Sequence, residues 1–136
     1  MKICALVDPM GTSFQEPKEE YEEIKQRFCE ELCLEPNEVT LVPDVMPHTL
    51  SGISTDAYVI DYGGMLSGVD DLVRSIFREF IKQVEDKPNT LFIIWSTFSF
   101  RWYKELIEDE NPDLKAPNVA FALDDEGWEK IKRWFR

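Results

Sequence analysis

Two residue types that build familiar sites are scarce in this sequence. It has three cysteines and one histidine among 136 residues. An odd number of cysteines in a chain without a secretion signal argues against a disulfide framework. A zinc site needs four converging ligands, commonly with turn-like cysteine spacing, and Cys29 and Cys33 with the single histidine His48 do not form such a set. We therefore expect buried or half-buried free thiols and no zinc, and the spacing of Cys29 and Cys33 would let them share one face of a helix.

The sequence also lacks a long apolar segment and an excess of positive charge. Its apolar runs are too short to cross a bilayer, so we expect a cytoplasmic protein without membrane contact. The 27 acidic residues outnumber the 15 basic residues and give a net charge of -12. The electrostatic field of this negative charge repels phosphate backbones, which argues against nucleic-acid binding. The same charge suits a protein partner, a small ligand or a metal cation. An acidic inhibitor that mimics nucleic acid is a further alternative.

Five short apolar segments have the composition of buried strands. They are rich in β-branched and aromatic residues with little polar alternation, which is typical of parallel strands covered on both faces. The predicted strands are Ile3–Val7, Val39–Val42, Ala57–Ile60, Leu91–Trp95 and Val119–Leu123. Thr40 interrupts the apolar residues of the second segment, so we expect that segment to be an edge strand.

Between these strands, apolar residues recur at helical spacing. The clearest stripe runs from Val69 to Val84 after a capping sequence at Ser67, and it predicts a helix with one buried face. The other predicted helices are Pro17–Leu34, Phe100–Glu110 and a terminal helix that buries Trp128, Ile131, Trp134 and Phe135. The segment 43–55 is irregular and contains His48. Two interpretations of this segment stay open: a functional loop, and an irregular crossover between strands.

The alternation of strands and helices predicts one α/β domain over residues 1–136. Right-handed crossovers favour a three-layer, doubly wound, five-stranded parallel sheet. We expect the flavodoxin-like strand order 2-1-3-4-5, with a Rossmann-like order as the alternative. In the first order, strands one and three are neighbours whose connections leave on opposite faces of the sheet. Ligands of such folds bind at the carboxyl ends of the strands at that point.

Polar residues and glycines follow the predicted strands at this edge. Asp8 follows the first strand and Asp61 follows the third, and a close pair of carboxylates attracts a hard cation such as Mg²⁺. The alternative is that aspartates at strand ends start turns or cap helices, which is the interpretation we prefer for Asp124 and Asp125. The remaining candidate ligand-binding residues are Gly11, Thr12, Ser13, Gly63, Gly64 and Ser96.

The segment 59–71, V-I-D-Y-G-G-M-L-S-G-V-D-D, resembles the response-regulator receiver domains, in which an aspartate at a strand end accepts a phosphoryl group. The resemblance implies catalytic roles for Asp61 as the acceptor and Thr97 as the switch hydroxyl, with Asp8 as a metal-binding acid. Two positions differ from the family. Pro9 follows Asp8 in place of a second acid, and Asp124-Asp125 replaces the lysine expected after strand five.

A second, weaker resemblance is to the haloacid-dehalogenase-type phosphohydrolases. The segments D-P-M-G-T at 8–12 and D-Y-G-G-M-L at 61–66 each match part of the first motif of that family, without its second aspartate. This resemblance implies a Mg²⁺-dependent phosphatase.

Besides the acidic inhibitor that mimics nucleic acid, these observations lead to two functional hypotheses. We prefer a binding or regulatory module of receiver-like construction. The alternative is a phosphoryl-transfer enzyme or phosphatase that uses Asp61 and Asp8 with Mg²⁺. Aromatic residues at Phe98, Phe100, Trp102 and Tyr103 suit a protein interface. They also suit the buried face of a helix, and this is the interpretation we slightly prefer.

Overall fold

The computed structural model describes residues 4–7, 18–42, 52, 54–61, 71–95, 108–109 and 111–135. The strands in these ranges are β1 (Cys4–Val7), β2 (Val39–Val42), β3 (Ala57–Asp61), β4 (Leu91–Trp95) and β5 (Val119–Ala122). The helices are α1 (Lys18–Leu32), α2 (Asp71–Asp86) and α3 (Asp125–Trp134), with single 3-10 turns η1 (Pro36–Glu38) and η2 (Pro112–Leu114). Strands and helices therefore alternate along the chain.

All four strand pairs are parallel, and the strands lie in the order β2-β1-β3-β4-β5. The register aligns Val7 of β1 with Ile60 of β3, and Asp61 with Trp95 of β4. The chain adds β2 on one side of β1 and β3 on the other side. The predicted α/β class with a parallel sheet is confirmed, and β2 lies at an edge of the sheet as expected.

Helices α1 and α3 cover one face of the sheet. Ile24, Phe28 and Leu32 of α1 are buried in one cluster with Trp128 and Ile131 of α3. The strand residues of this cluster are Val39, Ala57, Val59, Leu91, Ile93, Ala120 and Ala122. Within each strand they are two positions apart, because successive strand residues point to opposite faces. The apolar stripes predicted for both helices are confirmed at these positions.

Helix α2 covers the opposite face. The ring of Phe80 lies edge-on to Phe92 of β4 with 5.2 Å between ring centroids, and Tyr58 of β3 stacks on the same ring at 5.1 Å. All three side chains are fully buried, which contributes about 2 kcal/mol of stability for each. Since both faces are covered, β3 and β4 have apolar residues at nearly every position, which explains the continuous runs in the sequence.

The end of α1 differs from the prediction. The helix ends at Leu32 because Cys33 adopts a left-handed conformation with a φ of 55°. The N–H of Leu34 then donates to the carbonyl oxygen of Cys29 at 3.0 Å, which is the closing bond of a Schellman motif. The expectation that Cys29 and Cys33 share a helix face is therefore wrong. Cys29 is half-buried, whereas Cys33 is exposed beyond the helix end.

Several predictions fall on residues outside the described ranges. The helix predicted over Phe100–Glu110 is described only at Glu108 and Asp109, which are helical. His48 and the aromatic residues at positions 98–103 lie outside the described part of the chain. Among the helices that the structure describes, none is long and apolar enough to cross a membrane.

Candidate functional site

The carboxyl ends of β1, β3 and β4 form the edge at which a site was predicted. Asp61 ends β3 and is the register partner of Trp95, the last residue of β4. Val7, the last residue of β1, is aligned with Ile60, so β1 ends one residue before the level of Asp61. The third strand was predicted over Ala57–Ile60 with Asp61 after it, whereas β3 includes Asp61 as its last residue, so the strand is one residue longer than predicted.

Asp61 is the only predicted site residue that falls in the described ranges. The others are Asp8, Gly11, Thr12, Ser13, Gly63, Gly64, Ser96 and Thr97, and they lie outside those ranges. Their convergence with Asp61 therefore stays a prediction. The same holds for Mg²⁺ binding by Asp8 and Asp61. Among the residues that the structure does describe, no group of three or more His, Cys, Asp or Glu side chains is arranged to hold a metal ion.

Trp95 gives this edge a polar group that sequence analysis missed. Its ring packs near Phe28 and Trp128, with centroid distances of 6.3 and 6.4 Å. Its indole Nε1 is buried, and no described residue accepts a hydrogen bond from it. A buried donor without an acceptor costs about 1–3 kcal/mol. Trp95 therefore holds a buried indole N–H without a described acceptor on the face of the sheet that α1 and α3 cover.

The carboxyl end of β5 has a structural role. The strand ends at Ala122 rather than at the predicted Leu123, because the chain turns there into the cap of α3. The carboxylate of Asp124 accepts a hydrogen bond from the N–H of Gly127 at 2.8 Å. Asp125 lies in the first turn of the helix, where negative charge is favourable. The prediction that these two aspartates serve the helix start is confirmed.

The half-buried thiol of Cys29 is poorly suited to nucleophilic chemistry. Burial raises the pKa of Cys29 above its ordinary value of 9.0, and the nearby carboxylates of Glu38, Glu35 and Glu30 raise it further against the opposing effect of Lys25. The thiolate is the reactive form of cysteine, and these surroundings disfavour it at neutral pH. Cys29 therefore acts as a packing residue at the end of α1.

A cleft of about 740 Å³ lies at the opposite edge of the sheet, between α2 and η2. It lies before the amino ends of β4 and β5, and Asn118 is one of its lining residues. The Nδ2 of Asn118 donates to the carbonyl oxygens of Val84, Lys87 and Thr90 at 2.9, 3.1 and 3.2 Å. This side chain joins the end of α2 and the turn before β4 to the start of β5. Asn118 was not among the residues that the sequence analysis singled out.

No protein-family model, no curated protein and no solved structure matches this chain. The resemblances to receiver domains and to phosphohydrolases rest on the sequence segments that carry them.

Proposed function

We propose that this protein is a small acidic α/β binding or regulatory module with a flavodoxin-like sheet and a ligand site at the carboxyl ends of β1 and β3. The strand order β2-β1-β3 carries the proposal. Where the strand order reverses in an open parallel sheet, the connections on either side of that point leave on opposite faces. A crevice opens between them, and ligands bind there.

The register of the sheet supports a ligand class for this crevice. Val7 is aligned with Ile60, and the next residues in the sequence are Asp8 and Asp61. Adjacent strands lie about 4.8 Å apart, so two carboxylates at the same level suit one hard cation. Mg²⁺ usually keeps several water ligands and binds an oxyanion such as a phosphoryl group through its remaining positions.

The role of Asp124 favours binding over phosphoryl transfer. The receiver-domain resemblance calls for a lysine after β5 to pair with the phosphoryl charge, and this chain has Asp124 and Asp125 there. The carboxylate of Asp124 holds the start of α3 through Gly127. A negative charge at this position opposes a phosphoryl group, so a regulatory module that binds Mg²⁺ with a weakly held oxyanion accounts for these residues better than an enzyme does.

Isothermal titration calorimetry with Mg²⁺ tests this proposal. We expect saturable binding at millimolar Mg²⁺ that Asp61→Asn weakens by at least about tenfold, or about 1.4 kcal/mol. Asp86→Asn is the matched control, since Asp86 is an exposed aspartate at the end of α2. Equal Mg²⁺ affinity of the two variants, or the absence of saturable binding to the unmodified protein, would contradict the proposal.

The alternative function is phosphoryl transfer with Asp61 as the acceptor and Asp8 as a metal ligand. The adjacency of β1 and β3 favours phosphoryl transfer, because this reaction requires Asp8 and Asp61 at the same edge of the sheet. With acetyl phosphate as donor, the bond between phosphorus and the acetate oxygen breaks while an Asp61 carboxylate oxygen bonds to phosphorus, and acetate leaves. Intact-mass spectrometry after incubation with acetyl phosphate and Mg²⁺ detects the added phosphoryl group. An unchanged mass in a protein that binds Mg²⁺ favours the binding module.

A further inference from the structure

We draw no further inference here: the strongest candidate, the cleft of about 740 Å³ between α2 and η2, is lined by apolar residues and by charges of both signs, and nothing in the structure shows what occupies it.

Discussion

Gly127 of α3 lies directly against the carbonyl oxygen of Phe121 in β5, so that a Cβ atom at position 127 would be 1.6 Å from that oxygen. No side chain fits at such a distance without moving the helix or the strand. The N–H of the same glycine donates to the carboxylate of Asp124. The start of α3 is therefore fixed closely against the last strand of the sheet.

Gly127→Ala should destabilise the protein by about 1–3 kcal/mol, because the new methyl group forces α3 away from β5. Helix propensity alone predicts the opposite sign, a gain of about 1 kcal/mol for alanine over glycine. The free energy of unfolding measured with urea distinguishes the two. Glu129→Ala, at an exposed position of the same helix, is the control and should change stability little. A Gly127→Ala variant as stable as the unmodified protein would show that α3 does not approach β5 this closely.

Asn118→Ala should lower the free energy of unfolding by about 3 kcal/mol, because the buried carbonyl oxygen of Val84 and the part-buried carbonyl oxygen of Thr90 lose the donor that Asn118 gives them. Asn89→Ala is the matched control, since Asn89 is an exposed asparagine in the turn before β4. Urea unfolding of both variants measures the difference. If the two variants lose the same stability, the side chain of Asn118 does not join these segments.

Cys33→Gly should stabilise the protein by about 1 kcal/mol, because a residue with a side chain is strained at the positive φ that closes α1. Cys33→Ala retains the Cβ atom and should give no such gain, which separates the backbone effect from the loss of the thiol. Thermal unfolding of both variants compares them. A gain of equal size in both variants would contradict the assignment of strain to position 33.

The ion pair between α1 and α3 should make stability depend on pH in the acidic range. Lys132 Nζ lies 2.9 Å from Glu31 Oε2 and Arg27 Nε lies 3.1 Å from Glu31 Oε1. The hydrogen bond from Lys132 lowers the pKa of Glu31 below its ordinary value of 4.5, with smaller contributions from charge and from Arg27. Below pH 4.5 the unfolded chain binds more protons at this group than the folded protein does. The free energy of unfolding therefore falls as the pH drops from 4.5 through the lowered pKa of Glu31.

Glu31→Gln should flatten this part of the stability profile, because glutamine does not titrate. Urea unfolding at a series of pH values between neutral and strongly acidic measures the slope. Glu129→Gln, at an exposed position of α3, is the control and should leave the slope unchanged. If the unmodified protein and Glu31→Gln have the same slope, the ion pair between Glu31 and Lys132 does not cause the loss of stability in acid.

The strands were predictable from sequence because strands that are buried on both faces consist of nearly continuous apolar residues. β2 and β4 begin and end at the predicted residues, Val39–Val42 and Leu91–Trp95. In contrast, the end of α1 was placed two residues too late. The usual signal for a left-handed helix end is glycine, and this chain has Cys33 at that position.

The candidate site was predictable only in part. That the third strand ends close to Asp61 follows from the apolar run before it, although the strand extends one residue further than predicted. The two polar groups of interest at the sheet edges were not foreseen, because they depend on contacts distant in sequence. Asn118 bonds to carbonyl oxygens 28 to 34 residues away. Trp95 is surrounded by Phe28 and Trp128, and its lack of a described acceptor emerges only from that packing.

Amide NMR during a titration with Mg²⁺, followed by beryllofluoride as a phosphoryl mimic, is the decisive test of a cation site at the carboxyl edge of the sheet. We expect saturable shifts confined to the carboxyl ends of β1, β3 and β4, at the backbone amides of Val7, Asp61 and Trp95. Spectra in which these resonances stay in place at millimolar Mg²⁺, or in which shifts spread evenly over the acidic surface, would contradict it. The strand-end aspartates would then be structural.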